Sequence, residues 1–212
     1  MTVPYSIGVD LTRCRILVVG AGRVAERKIR GLLEAGGRPD IVAPRFDPPL
    51  AQLAIDRGLR CSRRAFAAGD TRGHHLVFVA TDDRAVNACI AREAAANGAL
   101  VNVADSPAES IFLVPATLRQ GEVTVALSTA GAAPVFARRL RDRLGETVTP
   151  GVGRAAARLR QLREEVRARW SDEPARRRDF WLRLVSPELL DSAVAGRDEE
   201  VELAISRCLS QS

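Results

Sequence analysis

The sequence predicts an α/β fold: a doubly wound parallel sheet, then a short strand–helix segment, then a helical tail. Three observations carry the prediction. Apolar runs alternate with helix-spaced segments over roughly the first hundred residues, as in a parallel sheet covered on both faces. The first run, Ile16-Leu17-Val18-Val19, ends in Gly20-Ala21-Gly22-Arg23-Val24-Ala25, a Gly-x-Gly-x-x-Ala turn that opens directly into a helical pattern. From residue 153 onward the spacing is helical alone.

Each element follows from local chemistry. Residues 1–14 read as a lead-in. Three β-branched residues in an unbroken apolar run of four predict a strand buried on both faces. In the helix after it, Ala25, Ile29, Leu32 and Leu33 share one face, and Gly36-Gly37 stops it. Asp40–Ala43 is a short second strand, and Asp47-Pro48-Pro49 starts a helix to about Gly58, with Asp47 as its cap. Leu59–Ser62 is a third strand and His75–Ala80 a fourth, apolar along its length. Thr81-Asp82-Asp83 caps a helix to Asn97, stopped by Gly98, and Leu100–Ala104 is the fifth strand, closed by Asp105-Ser106-Pro107. Glu122–Ser128 alternates with period two, as a half-exposed strand does, and leads into a helix at about 135–144. Helices follow at about 154–170, 174–184, 187–195 and 198–209, separated by prolines at 150, 174 and 187. The boundaries expected are 1–113 for a nucleotide domain, 114–150 for a strand–helix connector and 151–212 for a helical domain.

Composition narrows the function. The 212 residues are 46% hydrophobic, enough for a folded core. No apolar run has the length of a membrane span, and the first residues lack a signal-peptide pattern, so a cytoplasmic protein without membrane partners is expected. Four scattered cysteines and two adjacent histidines, His74 and His75, make no metal cluster, and no protein metal site is expected. The net charge of +6 is spread along the chain, and aromatic residues are only 4%, which argues against nucleic acid and fits a small polyanionic substrate. Nearly all the basic residues are arginine; Lys28 is the one lysine.

Ligands of such a sheet bind beyond the carboxyl ends of the strands. Gly20 permits the tight turn, Gly22 lets backbone approach a pyrophosphate, and the N-terminal amides at Arg23 and Val24 face phosphates. Thr81 ends the fourth strand. Pro44 and Arg45 end the second strand and face the adenosine ribose. The acidic residue usual at that strand end is missing, which leaves NAD and NADP equally open. Asp105 follows the fifth strand on the nicotinamide side, as a general base or as a cap of its own turn. Ser128 and Thr129, with Arg138 and Arg139 nearby, either cap the next helix or offer hydroxyls and amides to substrate carboxylates. His74 and His75 read as structural.

Several segments together resemble one family. They are Val18 through Lys28, Ala80-Thr81-Asp82-Asp83 with Val86-Asn87, Val101 through Asp105, Phe112 with Pro115-Ala116, and Ser128-Thr129-Ala130-Gly131 before Pro134-Val135 with Ala137-Arg138. Arg176-Arg177-Arg178 with Phe180-Trp181 extends the likeness into the tail. In this order they are similar to the dehydrogenase/ferrochelatase region of siroheme synthase, the precorrin-2 dehydrogenase family. The resemblance implies a Rossmann-like NAD domain, a dimerisation segment over 114–150, and a homodimer. It further implies oxidation of precorrin-2 to sirohydrochlorin and, in bifunctional members, insertion of ferrous iron as substrate to give siroheme. It places the essential carboxylate on Asp105 and NAD contacts on Arg23, Val24, Pro44 and Arg45. Ala21 and Ala130 stand where glycines are common in the family, Thr129 where a modifiable serine occurs, and Ile111 where serine is frequent. Two other readings compete: a nucleotide- or tetrapyrrole-binding module without turnover, and an unrelated NAD(P)-dependent reductase of a small acidic substrate.

Overall fold

A computed structural model describes residues 4–104 and 106–211, and the chain divides after Val114 into two compact units. The first unit is built on β1 (Ile16–Val19), α1 (Arg23–Glu34), β2 (Asp40–Val42), α2 (Pro48–Asp56), β3 (Cys61–Ser62), β4 (Leu76–Val79), α3 (Arg84–Ala96) and β5 (Leu100–Val103). All five strands are parallel, in the order β3-β2-β1-β4-β5, so the direction of winding reverses between β1 and β4. Val19 pairs with Val42 on one side and Val79 on the other, which brings the strand ends level at the edge where turns lead into helices.

The unbroken apolar runs have a direct cause. Ile16 and Val18 pack on one face with Ile29 and Leu32 of α1 and Leu50 of α2; Leu17 and Val19 pack on the other with Ile90 and Ala94 of α3. Because both faces are covered, no position in β1 tolerates a polar residue, and each buried side chain contributes about 1.5–3 kcal/mol. The third strand is shorter than expected, two residues instead of four. The loop between β3 and β4 is held by Glu93 of α3, whose carboxylate accepts from the Gly69 and Thr71 amides and from the buried Thr71 hydroxyl. Burial alone would push this carboxyl up, but the three hydrogen bonds outweigh it and keep the group below its ordinary value. In the same loop the Arg64 guanidinium holds Asp70 below the usual carboxylate range.

The second unit begins with a hairpin, β6 (Ala116–Gln120) and β7 (Val123–Leu127), turned at Gly121 with φ +57°. Only β7 is legible in the sequence; β6 has no β-branched run, and its strand conformation comes from pairing with β7. Helices α4 (Pro134–Leu144), α5 (Pro150–Arg169), α6 (Pro174–Leu184), α7 (Pro187–Val194) and α8 (Asp198–Ser210) complete the unit. Pro174 and Pro187 begin α6 and α7 as expected, and Pro150 also begins a helix; at a helix start the missing N–H costs nothing. Leu162, Val166, Trp170, Phe180, Leu184, Val201 and Ile205 form the core between α5, α6 and α8.

The first turn of α5 differs from expectation: the helix begins at Pro150, before the two glycines taken to precede it. A Cβ on Gly151 would lie 2.3 Å from Ala193 O, and one on Gly153 would lie 2.6 Å from Gln120 O. The glycines therefore let α5 seat directly on the backbone of α7 and of the hairpin. Among the described residues no helix is long and apolar enough to cross a membrane.

Candidate functional site

The first turn after β1 is the tightest place in the sheet. Gly20 has φ +108°, and a Cβ there would lie 2.1 Å from Ala80 O, so any side chain collides with the end of β4. Its N–H donates to Val42 O at 2.9 Å, and Ala80 N donates to Val19 O at 2.8 Å. One glycine thus draws the ends of β1, β2 and β4 together at the reversal point. Gly22 is the N-cap of α1 and leaves the helix start without a side-chain cap. A Cβ at Gly22 would meet only Asp47 Oδ2, at 3.7 Å, so the space above this turn is open. Uncapped helix amides behind a glycine turn carry partial positive charge and fit a pyrophosphate. The side chain of Arg23 is exposed and Val24 is half-buried.

Loops after β2 and β4 flank this corner. Pro44 and Arg45 are exposed beyond β2, and Phe46 turns back against the core under the Arg63 guanidinium, 4.9 Å from its ring centre. Asp47 was expected to cap α2. It occupies the N-cap position, yet its carboxylate makes no capping bond. Its N–H donates instead to Ala21 O at 3.0 Å, which ties the loop to the glycine turn. After β4, the Thr81 hydroxyl donates to Asn87 Oδ1 at 2.6 Å, and the Asp83 carboxylate caps α3 through the Ala85 and Val86 amides. Gly20, Gly22, Arg23, Val24, Pro44, Arg45 and Thr81 therefore all lie at the carboxyl edge of three neighbouring strands. His74 and His75 lie at the opposite edge, where His75 Nδ1 accepts from the Arg15 amide and His74 Nε2 is 3.3 Å from Asp40 Oδ2.

Asp105 lies outside the described residues. The chain on either side of it is firmly tied. Asn102, buried in β5, donates to Phe112 O at 2.9 Å and accepts from Lys28 Nζ at 2.6 Å. Lys28 also stands 5.5 Å over the Phe78 ring, which meets Phe112 edge-on. Ser110 Oγ donates to Ser106 O and accepts from the Val103 amide. Sequence reasoning gave Lys28 and Asn102 no role. The isolation of one lysine among so many arginines was the available signal; its compact ammonium reaches Asn102 Oδ1 while standing over Phe78.

In the second unit, Ser128 and Thr129 spend their hydroxyl oxygens on the turn before α4, accepting from the Ala130 and Ala133 amides. Ala130 there has φ +52°, an uncommon conformation for a residue with a side chain. The side chain of Arg138, on α4, is exposed. Among the described residues no three His, Cys, Asp or Glu side chains gather as metal ligands.

A family model described as putative NAD(P)-binding matches residues 7–116, just over half the chain, and spans the whole glycine corner. Two further models continue from it: the sirohaem biosynthesis protein central region over 120–147 and the sirohaem synthase dimerisation region over 151–209. The chain belongs to the family of the siroheme synthase N-terminal region and precorrin-2 dehydrogenase. Among siroheme synthases it is 42% identical over 187 residues to that of Methylococcus capsulatus, covering 88% of this chain and 39% of the relative. To siroheme synthase 3 of Aeromonas hydrophila it is 41% identical over 183 residues, covering 86% and 39%. The chain thus spans about two fifths of the length of these curated relatives. A solved structure titled SirC, precorrin-2 dehydrogenase, superposes with a TM-score of 0.74 at 26% identity, covering 94% of this chain and 99% of that one. As a member of the siroheme synthase family, the chain carries an NAD(P)-binding domain of Rossmann type in its first unit.

Proposed function

We propose that this chain is an NAD-dependent precorrin-2 dehydrogenase that forms sirohydrochlorin. The observation that carries the reading is the glycine corner: open, uncapped, and joined to the ends of β2 and β4 at the reversal point of the sheet. Support comes also from the SirC dehydrogenase, which this chain matches over nearly its full length.

Bound NAD supplies the acceptor for a hydride leaving the macrocycle. The chain's own residues do the rest. The turn at Gly20 and Gly22 and the amides of Arg23 and Val24 hold the pyrophosphate, while Pro44, Arg45 and Thr81 border the adenosine half. Asp105, next to β5 in the chain, receives the proton released as the hydride departs, so one two-electron oxidation yields sirohydrochlorin, reduced nicotinamide and a proton. Ser128, Thr129 and Arg138 meet the substrate's carboxylates. The Lys28–Asn102–Phe112 chain fixes β5, the strand that precedes Asp105 in the sequence.

A second activity belongs to the same reading. Inserting ferrous iron into sirohydrochlorin displaces two pyrrole protons, which Asp105 accepts one at a time, passing the first to solvent before taking the second; the macrocycle itself holds the metal. The chain is further proposed to act as a homodimer, in keeping with the dimerisation region that its tail matches.

The test is Asp105→Asn. NAD affinity, measured by calorimetry, stays within about twofold, whereas precorrin-2 oxidation followed by absorbance falls at least about a hundredfold. An unchanged rate removes Asp105 from the mechanism; absence of oxidation by the native protein removes the dehydrogenase. Mixing sirohydrochlorin with ferrous iron tests metal insertion separately.

A further inference from the structure

We infer that Asp47 is the acceptor for the adenosine ribose 2′-hydroxyl and thereby sets a preference for NAD over NADP. The inference rests on the dinucleotide reading above.

In sheets of this kind an acidic residue at the end of the second strand receives the ribose hydroxyl. Here β2 ends at Val42 and continues through Ala43-Pro44-Arg45, with no acid. The structure supplies one from further along. The loop folds back so that the Asp47 amide donates to Ala21 O, between the two glycines of the corner. That hydrogen bond brings Asp47 Oδ2 to 3.7 Å from where a Gly22 Cβ would stand. The carboxylate is exposed and caps nothing, although it sits at the N-cap of α2, where an aspartate ordinarily spends its oxygen on helix amides. It is therefore oriented towards the glycine turn and available to a donor at the edge of it.

Charge decides the selectivity. A ribose hydroxyl donates to a carboxylate; a 2′-phosphate at the same place brings a dianion against it, and like charges in contact are destabilising. Arg45, exposed on the same loop, is the residue that would otherwise welcome that phosphate. Arg63 is already stacked on Phe46. Asp47 thus puts a carboxylate beside Gly22, whereas Arg45 is on the exposed part of the same loop.

Calorimetric titration of the free protein tests this without any turnover. The native protein is expected to bind NAD at least about tenfold more tightly than NADP, and to lose about tenfold in affinity for 2′-deoxy-NAD. Asp47→Ala should weaken NAD about tenfold, erase the difference between NAD and 2′-deoxy-NAD, and bring NADP within about threefold of NAD. Asp56→Ala, at the far end of α2, should behave as the native protein. If the native protein binds NAD but does not distinguish 2′-deoxy-NAD, the inference is overturned whatever the variant does. Equal NAD and NADP affinities in native protein and variant alike overturn it also, while leaving the dinucleotide site standing. Binding of neither nucleotide overturns both.

Discussion

Gly20 and Gly22 are two residues apart and answer to different constraints. At Gly20 the backbone is left-handed and the end of β4 fills the space a Cβ needs, so Gly20→Ala costs fold stability, about 2–4 kcal/mol, and lowers the melting temperature of the first unit. At Gly22 the backbone is extended and the nearest atom is 3.7 Å away, so Gly22→Val leaves the melting temperature nearly unchanged. The same valine occupies the space proposed for the pyrophosphate, and NAD binding by calorimetry should vanish. Normal affinity in the valine variant would move the cofactor elsewhere. The sequence pattern named both glycines as one motif; only the packing separates the structural one from the functional one. Asp47 was misread for a related reason. The letters Asp-Pro-Pro announce a helix cap, and nothing local reveals that the side chain turns instead to a glycine twenty-five positions earlier.

Strands and helices were legible where one element's own spacing decides its state. The alternation of β1, α1, β2, α2, β4, α3 and β5 was read correctly because β1 and β4 are apolar throughout and β2 and β5 at all but one position, as strands of a doubly covered sheet are. What was missed depends on a neighbour. β6 has weak intrinsic preference and exists by pairing with β7. The start of α5 was placed four residues late because glycine is a poor helix former, about 1 kcal/mol worse than alanine in isolation. In this protein that preference reverses. Gly153→Ala removes a flexible residue from a helix, yet its methyl group would stand 2.6 Å from Gln120 O. We expect thermal denaturation of the second unit to show a loss of about 1–3 kcal/mol rather than a gain. A stabilised variant would mean that the hairpin yields freely.

For the molecule as a whole, the sequence conveyed the family and the cofactor class, through motifs spread over most of the chain. It conveyed less about assembly, because the surface that binds a second copy has no spacing rule of its own. On α4, Phe136 is 62% exposed, with Val135 and Leu140 exposed beside it, an apolar strip that a lone subunit would leave in water. Sedimentation should give twice the monomer mass, and Phe136→Ser should weaken self-association roughly tenfold while the circular dichroism spectrum stays the same. A native protein that sediments as a monomer would contradict the proposed homodimer. The seat of α5 on the hairpin bears on how this region can be divided. The parts named for the family's centre, 120–147, and for its dimerisation, 151–209, meet main chain to main chain at Gly153 and Gln120, beside an ion pair between Arg160 and Glu122 at 2.7 Å. A cut between them leaves a two-stranded ribbon without its footing and a helix with a bare notch. Shuffling or fusion of this region to other catalytic modules must therefore carry ribbon and helices together as a single cassette.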